Sequence, residues 1–247
     1  MIVESQVATG RIASVNPATG EVLGQIEVAG EAKVLAAVAR AREAQPGWQG
    51  VGVRARIDAL RKFQRLVHEQ KTEIARQITL ESGKPVAEAL TTEVLVVLDA
   101  ARFLIENAYR LLRDEPVPHG NPAARTKSGK IVREPHGVIG IISPWNYPFA
   151  IPATETLAAL VAGNSVVLKP SELTTLTAVR LLELLRAAGV PEPVFQLVPG
   201  LGATGAALVH SEIDKLVFTG SIATGKRIAQ EAASRLLPVV LELGGKD

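Results

Sequence analysis

The sequence predicts an α/β protein built on an open, doubly wound parallel sheet with helices on both faces. Two observations support this fold class. Short apolar runs rich in β-branched residues alternate with helical segments between His136 and Asp247, a pattern typical of right-handed βαβ units. Hydrophobic residues make up 47% of the 247 residues, which is enough to bury a sizeable core.

Five strands are predicted in region 136–247, which we interpret as a Rossmann-like core. They cover residues 137–142, 165–168, 194–198, 215–218 and 238–243. The helices predicted between them are Ile151–Ala162, Thr175–Ala188, Thr204–His210 and Thr224–Leu236. The last run is apolar enough for a central strand, so Glu242 within it is expected to be buried, which would favour its protonated form and suit a general base.

The first part of the chain predicts two strands followed by helices. Two short strands flank a turn at Pro17–Gly20. A helix over Glu31–Ala44 should end at Pro46-Gly47, and a long amphipathic helix over Arg54–Leu80 should end at Gly83. The apolar face of this long helix is made of Ile57, Leu60, Phe63, Val67, Ile74 and Ile78.

A further helix is predicted over Val86–Arg113, then a link over 114–125 and an exposed strand over Lys127–Glu134. We therefore divide the chain into three parts. Residues 1–122 form the N-terminal part of the main domain, residues 123–135 a separate strand, and residues 136–247 the Rossmann-like core.

Composition and charge exclude several classes of protein. The net charge is +2 and no basic block is interleaved with aromatics, which argues against nucleic-acid binding. The chain has no signal-peptide core and no apolar stretch of membrane-spanning length, so a cytoplasmic protein is expected. It has no cysteine, which excludes disulfides, thiolate metal ligands and a cysteine nucleophile within these residues, and its four histidines are too scattered to predict a metal site.

Polar, glycine-rich or proline-rich residues follow every predicted strand of the core. Ligands of an open α/β sheet bind outside the carboxyl ends of its strands, so these residues predict one binding edge. The five segments are Ser143–Pro148, Lys169–Glu172, Pro199–Gly202, Thr219–Ser221 and Glu242–Lys246.

Two of these segments have two interpretations each. Glu172 could accept hydrogen bonds from ribose hydroxyls with Lys169 donating to the same sugar, or Ser171 and Glu172 could simply cap and begin a helix. Ser221 could face a phosphate at a helix N-terminus, although an ordinary serine N-cap is the commoner arrangement. Both pairs of interpretations stay open at this point.

Three further candidates also have structural alternatives. Residues 200–205 spell G-x-G-x-x-G, but they follow the third strand rather than the first, so loop geometry is favoured over a dinucleotide fingerprint. Asn146, held between Pro144 and Pro148, could supply an oxyanion donor or be a polar turn residue. Glu242 could be a general base or a carboxylate capped by the amides of Gly244 and Gly245, and the general base is slightly favoured.

These motifs together resemble the aldehyde dehydrogenase superfamily, in the order and at the spacing of that family, over essentially the whole chain. The matching segments are Glu81–Pro85 (ESGKP), Pro144–Pro148 (PWNYP), Lys169–Glu172 (KPSE), Phe218–Ser221 (FTGS) and Leu241–Lys246 (LELGGK). The resemblance implies a nicotinamide cofactor across the sheet edge, NAD being favoured because Glu172 should repel a 2′-phosphate and NADP being the alternative.

The resemblance also implies a role for each matching residue. Lys169 and Glu172 would bind the adenosine ribose, Gly220 and Ser221 would face the pyrophosphate, and residues 123–135 would belong to an oligomerisation arm. Asn146 would stabilise the oxyanion and Glu242 would act as the general base. The remaining residues expected to line the cofactor site are Ile142, Ser143, Pro144, Trp145, Ser171, Gly202, Phe218, Thr224 and Leu243.

The reaction of the family is attack of a cysteine thiolate on an aldehyde, hydride transfer to the nicotinamide and hydrolysis of the thioester. Asp247 directly follows the LELGGK motif, so we expect a fragment that lacks the catalytic domain and is inactive alone. The alternatives are a non-catalytic NAD-binding fragment and, more weakly, a related acyl-phosphate or acyl-CoA reductase.

The fragment is also expected to be poorly soluble, with an unpaired strand near 126–134, while the longer protein would be a homo-oligomer.

Overall fold

The computed structural model describes residues 7–8, 10–118, 120, 123 and 126–245. The chain begins with a small antiparallel sheet in the order β1-β2-β3, formed by β1 (Val7–Ala8), β2 (Arg11–Val15) and β3 (Val22–Glu27). Gly20 adopts a positive φ of 74° in the turn between β2 and β3, a conformation that glycine adopts without strain. The two strands predicted around this turn are therefore confirmed.

The predicted ends of the first helices were wrong in two places. Helix α1 (Glu31–Gly50) continues through Pro46, because its last turn is held by Trp48, whose buried indole donates to the carbonyl of Leu160 at 2.9 Å. The long helix predicted up to Leu80 is two helices, α2 (Gly52–Glu69) and α3 (Lys71–Ser82). They are separated at Gln70, whose backbone leaves the helical region.

The apolar face predicted for this region is nevertheless confirmed. All six of its residues are buried in one core cluster, which explains why the chain keeps packing in the same direction across the break. Helix α3 ends as predicted at Gly83, which has a left-handed φ of 74°.

Helices α4 (Val86–Ala89) and α5 (Leu95–Leu112) are joined by a π-helical turn, Leu90–Val94, so the helix predicted here exists but contains an irregularity that the sequence did not predict. The following residues form a two-stranded antiparallel sheet of β4 (Glu115–Val117) and β5 (Gly129–Ile131). The unpaired strand expected near 126–134 was thus wrong, because residues 115–117, interpreted as part of a link, pair with it. Residues 119, 121, 122, 124 and 125 of that link lie outside the described residues.

The core is a five-stranded, fully parallel sheet, and all five predicted strands are confirmed. The strands are β6 (Val138–Ile142), β7 (Ser165–Lys169), β8 (Phe195–Leu197), β9 (Lys215–Gly220) and β10 (Val239–Leu243), in the order β10-β9-β6-β7-β8. The connecting helices are α6 (Ala150–Val161), α7 (Thr175–Ala187), α8 (Gly202–His210) and α9 (Ile222–Ser234). The chain runs outward from β6 to β8 and then returns to place β9 on the other side of β6, which creates a topological switch point between β6 and β9.

Alternate residues of each strand contact different layers of helices, as the two-residue period of a strand requires. Ile139 and Ile141 pack in one core cluster with α2, α3, α5, α6 and α7, and we call this side of the sheet the first face. Val138 and Ile142 pack in a second cluster with α1, α8 and α9, on the second face. The doubly wound architecture is therefore confirmed.

The predicted central position of the last strand was wrong. Strand β10 pairs with β9 alone within the described residues and lies at the edge of the sheet. Its residues are only partly buried, and Glu242 and Leu243 are exposed. Position in a sheet depends on strand order, which an apolar run alone does not determine.

No helix in the described ranges is long and apolar enough to cross a lipid bilayer. Several large apolar side chains are exposed, among them Leu95 and Phe103 on α5 and Leu236 after α9. The poor solubility expected for this chain remains a prediction.

Candidate functional site

A cavity of about 680 Å³ opens at the carboxyl edge of the sheet, on the second face. Its walls are the ends of β6, β7 and β9 and the sides of α8 and α9. Of the residues predicted to contact a cofactor, all except Asn146 and Leu243 line this cavity. The lining residues from that prediction are Ile142, Ser143, Pro144, Trp145, Lys169, Ser171, Glu172, Gly202, Phe218, Gly220, Ser221 and Thr224.

Lys169 and Glu172 form an ion pair at the end of β7, with 3.5 Å between Nζ and Oε2. The Lys169 side chain is buried, and this burial lowers the pKa of its ammonium while the carboxylate of Glu172 acts in the opposite direction. Ser171 Oγ accepts a hydrogen bond from the Leu173 amide and caps a short 3₁₀ turn that Glu172 begins. The capping interpretation is therefore confirmed, and the same residues also face the cavity.

Ser221 and Gly220 lie where β9 ends and α9 begins. Ser221 is the N-cap of α9 and accepts from the Thr224 amide at 3.3 Å, so its capping role is also confirmed. A Cβ atom on Gly220 would lie 2.6 Å from the ring of Phe218. Gly220 is thus required for the close approach of this aromatic side chain to the backbone at the cavity wall.

The G-x-G-x-x-G sequence at 200–205 forms a tightly packed turn into α8. A Cβ atom on Gly200 would lie 1.9 Å from Thr204 Oγ1, and this hydroxyl donates to the carbonyl of Ala29 at 2.8 Å. These contacts support loop geometry as the main role of the sequence. Gly202, at the first position of α8, has no atom within 4 Å of a Cβ position and faces the cavity.

Asn146 lies in the exposed loop between β6 and α6, beside the cavity rather than in its lining. Lys84 contacts this loop in two ways. Its Nζ donates to the Asn146 carbonyl at 3.0 Å and lies 4.0 Å from the centre of the Tyr147 ring. Lys84 in turn pairs with Glu93 at 2.7 Å. The backbone at Asn146 is therefore fixed by a cation as well as by the two flanking prolines.

Glu93 is completely buried and caps α6. Its Oε2 accepts from the amides of Phe149 at 2.8 Å and Ala150 at 3.1 Å, while its Oε1 accepts from Lys84. This glutamate lies in the π-helical turn, a type of irregularity frequent at functional sites. Sequence reasoning missed Glu93, and the available signal was a carboxylate inside an apolar helical stretch.

Glu242 is exposed, so the burial predicted for it was wrong. The reason is its position at the edge of the sheet, where no described strand or helix covers it. Leu243 does not reach the cavity because it packs against α9, where a Cβ atom on Gly225 would lie 2.4 Å from Leu243 Cδ2.

The carboxyl with a raised pKa in this region is Glu155 on α6, which sequence reasoning did not identify. Burial, with a further contribution from the charge of Glu242, raises the pKa of Glu155 to about 7, although a hydrogen bond from Thr219 opposes the shift. Glu155 thus has the protonation behaviour expected earlier for Glu242. The signal available in the sequence was an acidic residue within an otherwise apolar helix.

The pH dependence of stability should report this shifted group. Between pH 4.5 and 7 the folded chain keeps a proton on Glu155 that the unfolded chain has lost, so stability falls as pH rises through this window and levels off above it. Across this window the free energy of unfolding should fall by about 2 kcal/mol, as expected for a partly buried carboxyl. Glu155→Gln should remove this pH dependence. Urea unfolding from pH 4.5 to 8 measures it, with the exposed Glu43→Gln as the matched control. Parallel curves for wild type and Glu155→Gln would contradict the prediction.

Several cavity residues had no predicted role. His210 and Glu231 lie at the rim, with 3.1 Å between Nε2 and Oε2. Leu201 and Thr219, which belong to the predicted binding edge, also line the cavity, and the other lining residues that sequence reasoning missed are Gly205, Ala206, Val209, Arg227 and Ile228. Most lie three or four residues apart on α8 or α9, so helical spacing next to the strand ends could have indicated them. Within the described residues, no group of three or more histidines and acids is placed to hold a metal ion.

Comparison with known proteins gives a consistent result. The model of the aldehyde dehydrogenase family matches residues 2–247. A 4,4'-diapolycopene aldehyde oxidase of Methylomonas sp is 37% identical over 239 residues, covering 96% of this chain and 44% of that protein. Betaine aldehyde dehydrogenase 1 of Rhizobium meliloti (strain 1021) is 38% identical over 236 residues, covering 95% of this chain and 47% of that protein.

A solved structure shows the same fold. The NAD+ complex of an aldehyde dehydrogenase from Bacillus cereus superposes with a TM-score of 0.90 at 34% identity, covering 96% of this chain and 48% of that chain. The chain thus spans about half the length of the relatives that it matches. With a family match over residues 2–247 and the fold shared at this level, the chain belongs to the aldehyde dehydrogenase family.

Proposed function

We propose that this chain is the NAD-binding half of an enzyme that oxidises an aldehyde to a carboxylic acid. The observation that carries the proposal is the cavity at the switch point of the sheet, which brings together the residues predicted to contact a cofactor, except Asn146 and Leu243. Its volume of about 680 Å³ lies within the range of small-molecule sites.

The donors and acceptors of the cavity fit a dinucleotide. Glu172 offers a carboxylate to the hydroxyls of a ribose, and the buried ammonium of Lys169 offers a donor beside it. Gly220 and Ser221 lie at the N-terminus of α9, where the helix dipole favours a pyrophosphate. NAD is favoured over NADP because a 2′-phosphate would meet the carboxylate of Glu172.

The bound nicotinamide would accept the hydride released by the substrate. Asn146 would donate to the oxyanion that forms when the aldehyde is attacked, and its loop is fixed for this role by Lys84. Glu242 would take up a proton as the general base. Because the 247 residues contain no cysteine, the nucleophile of this chemistry would have to come from outside them.

Replacing Glu172 with glutamine should weaken NAD binding about 10-fold, because a charge-assisted hydrogen bond to ribose is worth about 1.5 kcal/mol. The same change should reduce the preference for NAD over NADP, since the repulsion of the 2′-phosphate is removed. Isothermal titration calorimetry of the purified chain with each dinucleotide measures both effects.

Glu43→Gln on the exposed side of α1 is the matched control for this experiment, because it changes the same charge away from the cavity. Equal affinities for the two variants would show that Glu172 does not contact the ribose. If wild-type chain binds no dinucleotide at all, the whole proposal fails.

The absence of cysteine favours a second candidate, a protein that binds NAD without catalysis. The two candidates differ in the coding sequence downstream of residue 247. An uninterrupted reading frame with a cysteine a short distance beyond the LELGGK motif supports the dehydrogenase. A frame without one supports the binding protein.

We also propose that β4 and β5 form part of an oligomerisation arm. Val117, Ile131 and Val132 are exposed apolar side chains on or beside this two-stranded sheet, and exposed apolar patches mark association surfaces. Ile131→Asp should therefore lower the mass of the assembled protein in size-exclusion chromatography with light scattering. An unchanged mass would remove the proposed arm.

A further inference from the structure

Glu155 carries an unusual carboxyl group in the middle of α6. Its Oε1 accepts a hydrogen bond from Thr219 Oγ1 at 3.1 Å. Its Oε2 is buried and has no hydrogen-bond partner among the described residues. A buried oxygen without a partner is costly when the group is ionised, so this environment favours the protonated carboxylic acid.

The strand register connects this carboxyl to Glu242. Thr219 on β9 is the direct Cα partner of Glu242 on β10. Val239 and Leu241 pack against the second face of the sheet, so the two-residue alternation of β10 places Glu242 on the first face. Helix α6 packs on this same face, over β6 and β7 rather than over β10, so the two carboxyls lie on the same side of the sheet with Thr219 between them.

The other charged side chains around α6 have partners of their own. Of the charged groups in the described ranges, Glu242 is the one whose charge acts on the pKa of Glu155, and it raises this pKa. Lys84 pairs with Glu93 at the start of α6, and Arg56 donates to the Val161 carbonyl at its end. Asp99 pairs with Arg102 on α5. Lys169 pairs with Glu172 at the end of β7.

We propose that Glu155 is a positioning residue for Glu242 and that it holds a proton while Glu242 is ionised. When Glu242 takes up a proton, the repulsion between the two carboxyls disappears, so the pKa of Glu155 falls and Glu155 gives up its proton to solvent water more readily. The protonated form of Glu155 thereby lets Glu242 be ionised without a second negative charge beside it. This inference rests on the proposed role of Glu242 as the general base.

Proton coupling of this kind is measured on the chain itself, without turnover. Carbon-13 NMR of protein labelled at the glutamate carboxyl carbons follows each group from pH 4 to 9, and the resonance missing in Glu155→Gln identifies Glu155. In wild type this resonance should titrate near pH 7. In Glu242→Gln it should titrate at a clearly lower pH, while in the control Glu43→Gln it should not move.

Two results would overturn the inference. One is a Glu155 resonance that titrates near the ordinary glutamate value of about 4.3 in wild type. The other is an identical midpoint in wild type and Glu242→Gln, which would show that the carboxyls are not coupled. If Glu155→Gln does not fold, Thr219→Val identifies the resonance instead, because loss of the hydroxyl donor should move the Glu155 midpoint to higher pH.

The titration and the dinucleotide experiment fail independently. A coupled pair in a chain that binds no NAD would leave the carboxyl pair established and remove the proposed function. A chain that binds NAD with an uncoupled Glu155 would keep the proposed function and remove the inference.

Discussion

Glu81→Ala should lower the free energy of unfolding by about 4 kcal/mol, because several buried donors would lose one carboxylate. Glu81 Oε1 accepts from Ser14 Oγ at 2.6 Å and from the Leu176 amide at 2.9 Å. Its Oε2 accepts from the Thr177 amide at 2.5 Å and from the Thr177 hydroxyl at 2.6 Å. One side chain on α3 thereby joins strand β2 to the first turn of α7.

Urea unfolding at pH 7 measures this loss, with Glu43→Ala as the exposed control. Glu81→Gln should also be destabilising, since its amide group would face donors rather than acceptors. A loss below about 1 kcal/mol for Glu81→Ala would show that water replaces the carboxylate at little cost.

Glu93→Ala is the second substitution expected to have a large effect, with a loss of about 3–5 kcal/mol. It would leave the ammonium of Lys84 buried without its anion and the amides of Phe149 and Ala150 without their acceptor. The loop that carries Asn146 should also become more mobile, because Lys84 would no longer be fixed beneath it.

Chemical unfolding gives the energetic part of this prediction, and acrylamide quenching of the exposed Trp145 gives the effect on the loop. Lys84→Met is the informative partner variant, because it removes the contact with the Asn146 carbonyl while leaving Glu93 able to cap α6. It should cost less stability than Glu93→Ala but increase quenching of Trp145. If neither variant changes the quenching, the pair does not fix the loop.

The sequence predicted the core sheet well because the relevant signals are local. A buried parallel strand is a short apolar run, and the polar residues that follow it are adjacent in sequence, so the sequence alone places Lys169, Glu172 and Ser221 at one edge. Parallel strands then bring these residues together without further information.

The features that were missed depend on contacts between distant parts of the chain. Glu93 contacts residues at the start of α6 more than fifty positions away, and Glu155 on α6 contacts Thr219 on strand β9. The exposure of Glu242 depends on the order of strands in the sheet, which is not encoded in the strand itself. The break at Gln70 was missed because the apolar pattern continues unchanged across it.

The return of the chain from β8 to β9 also constrains when the cavity can exist during synthesis. Its walls require β6 and β9 to be neighbours, with residues 143–214 made in between. A nascent chain on the ribosome therefore lacks this cavity until β9 has emerged, even if β6, β7 and β8 have already paired. A dinucleotide that binds as proposed would stabilise only the late stages of folding, since early intermediates lack the cavity.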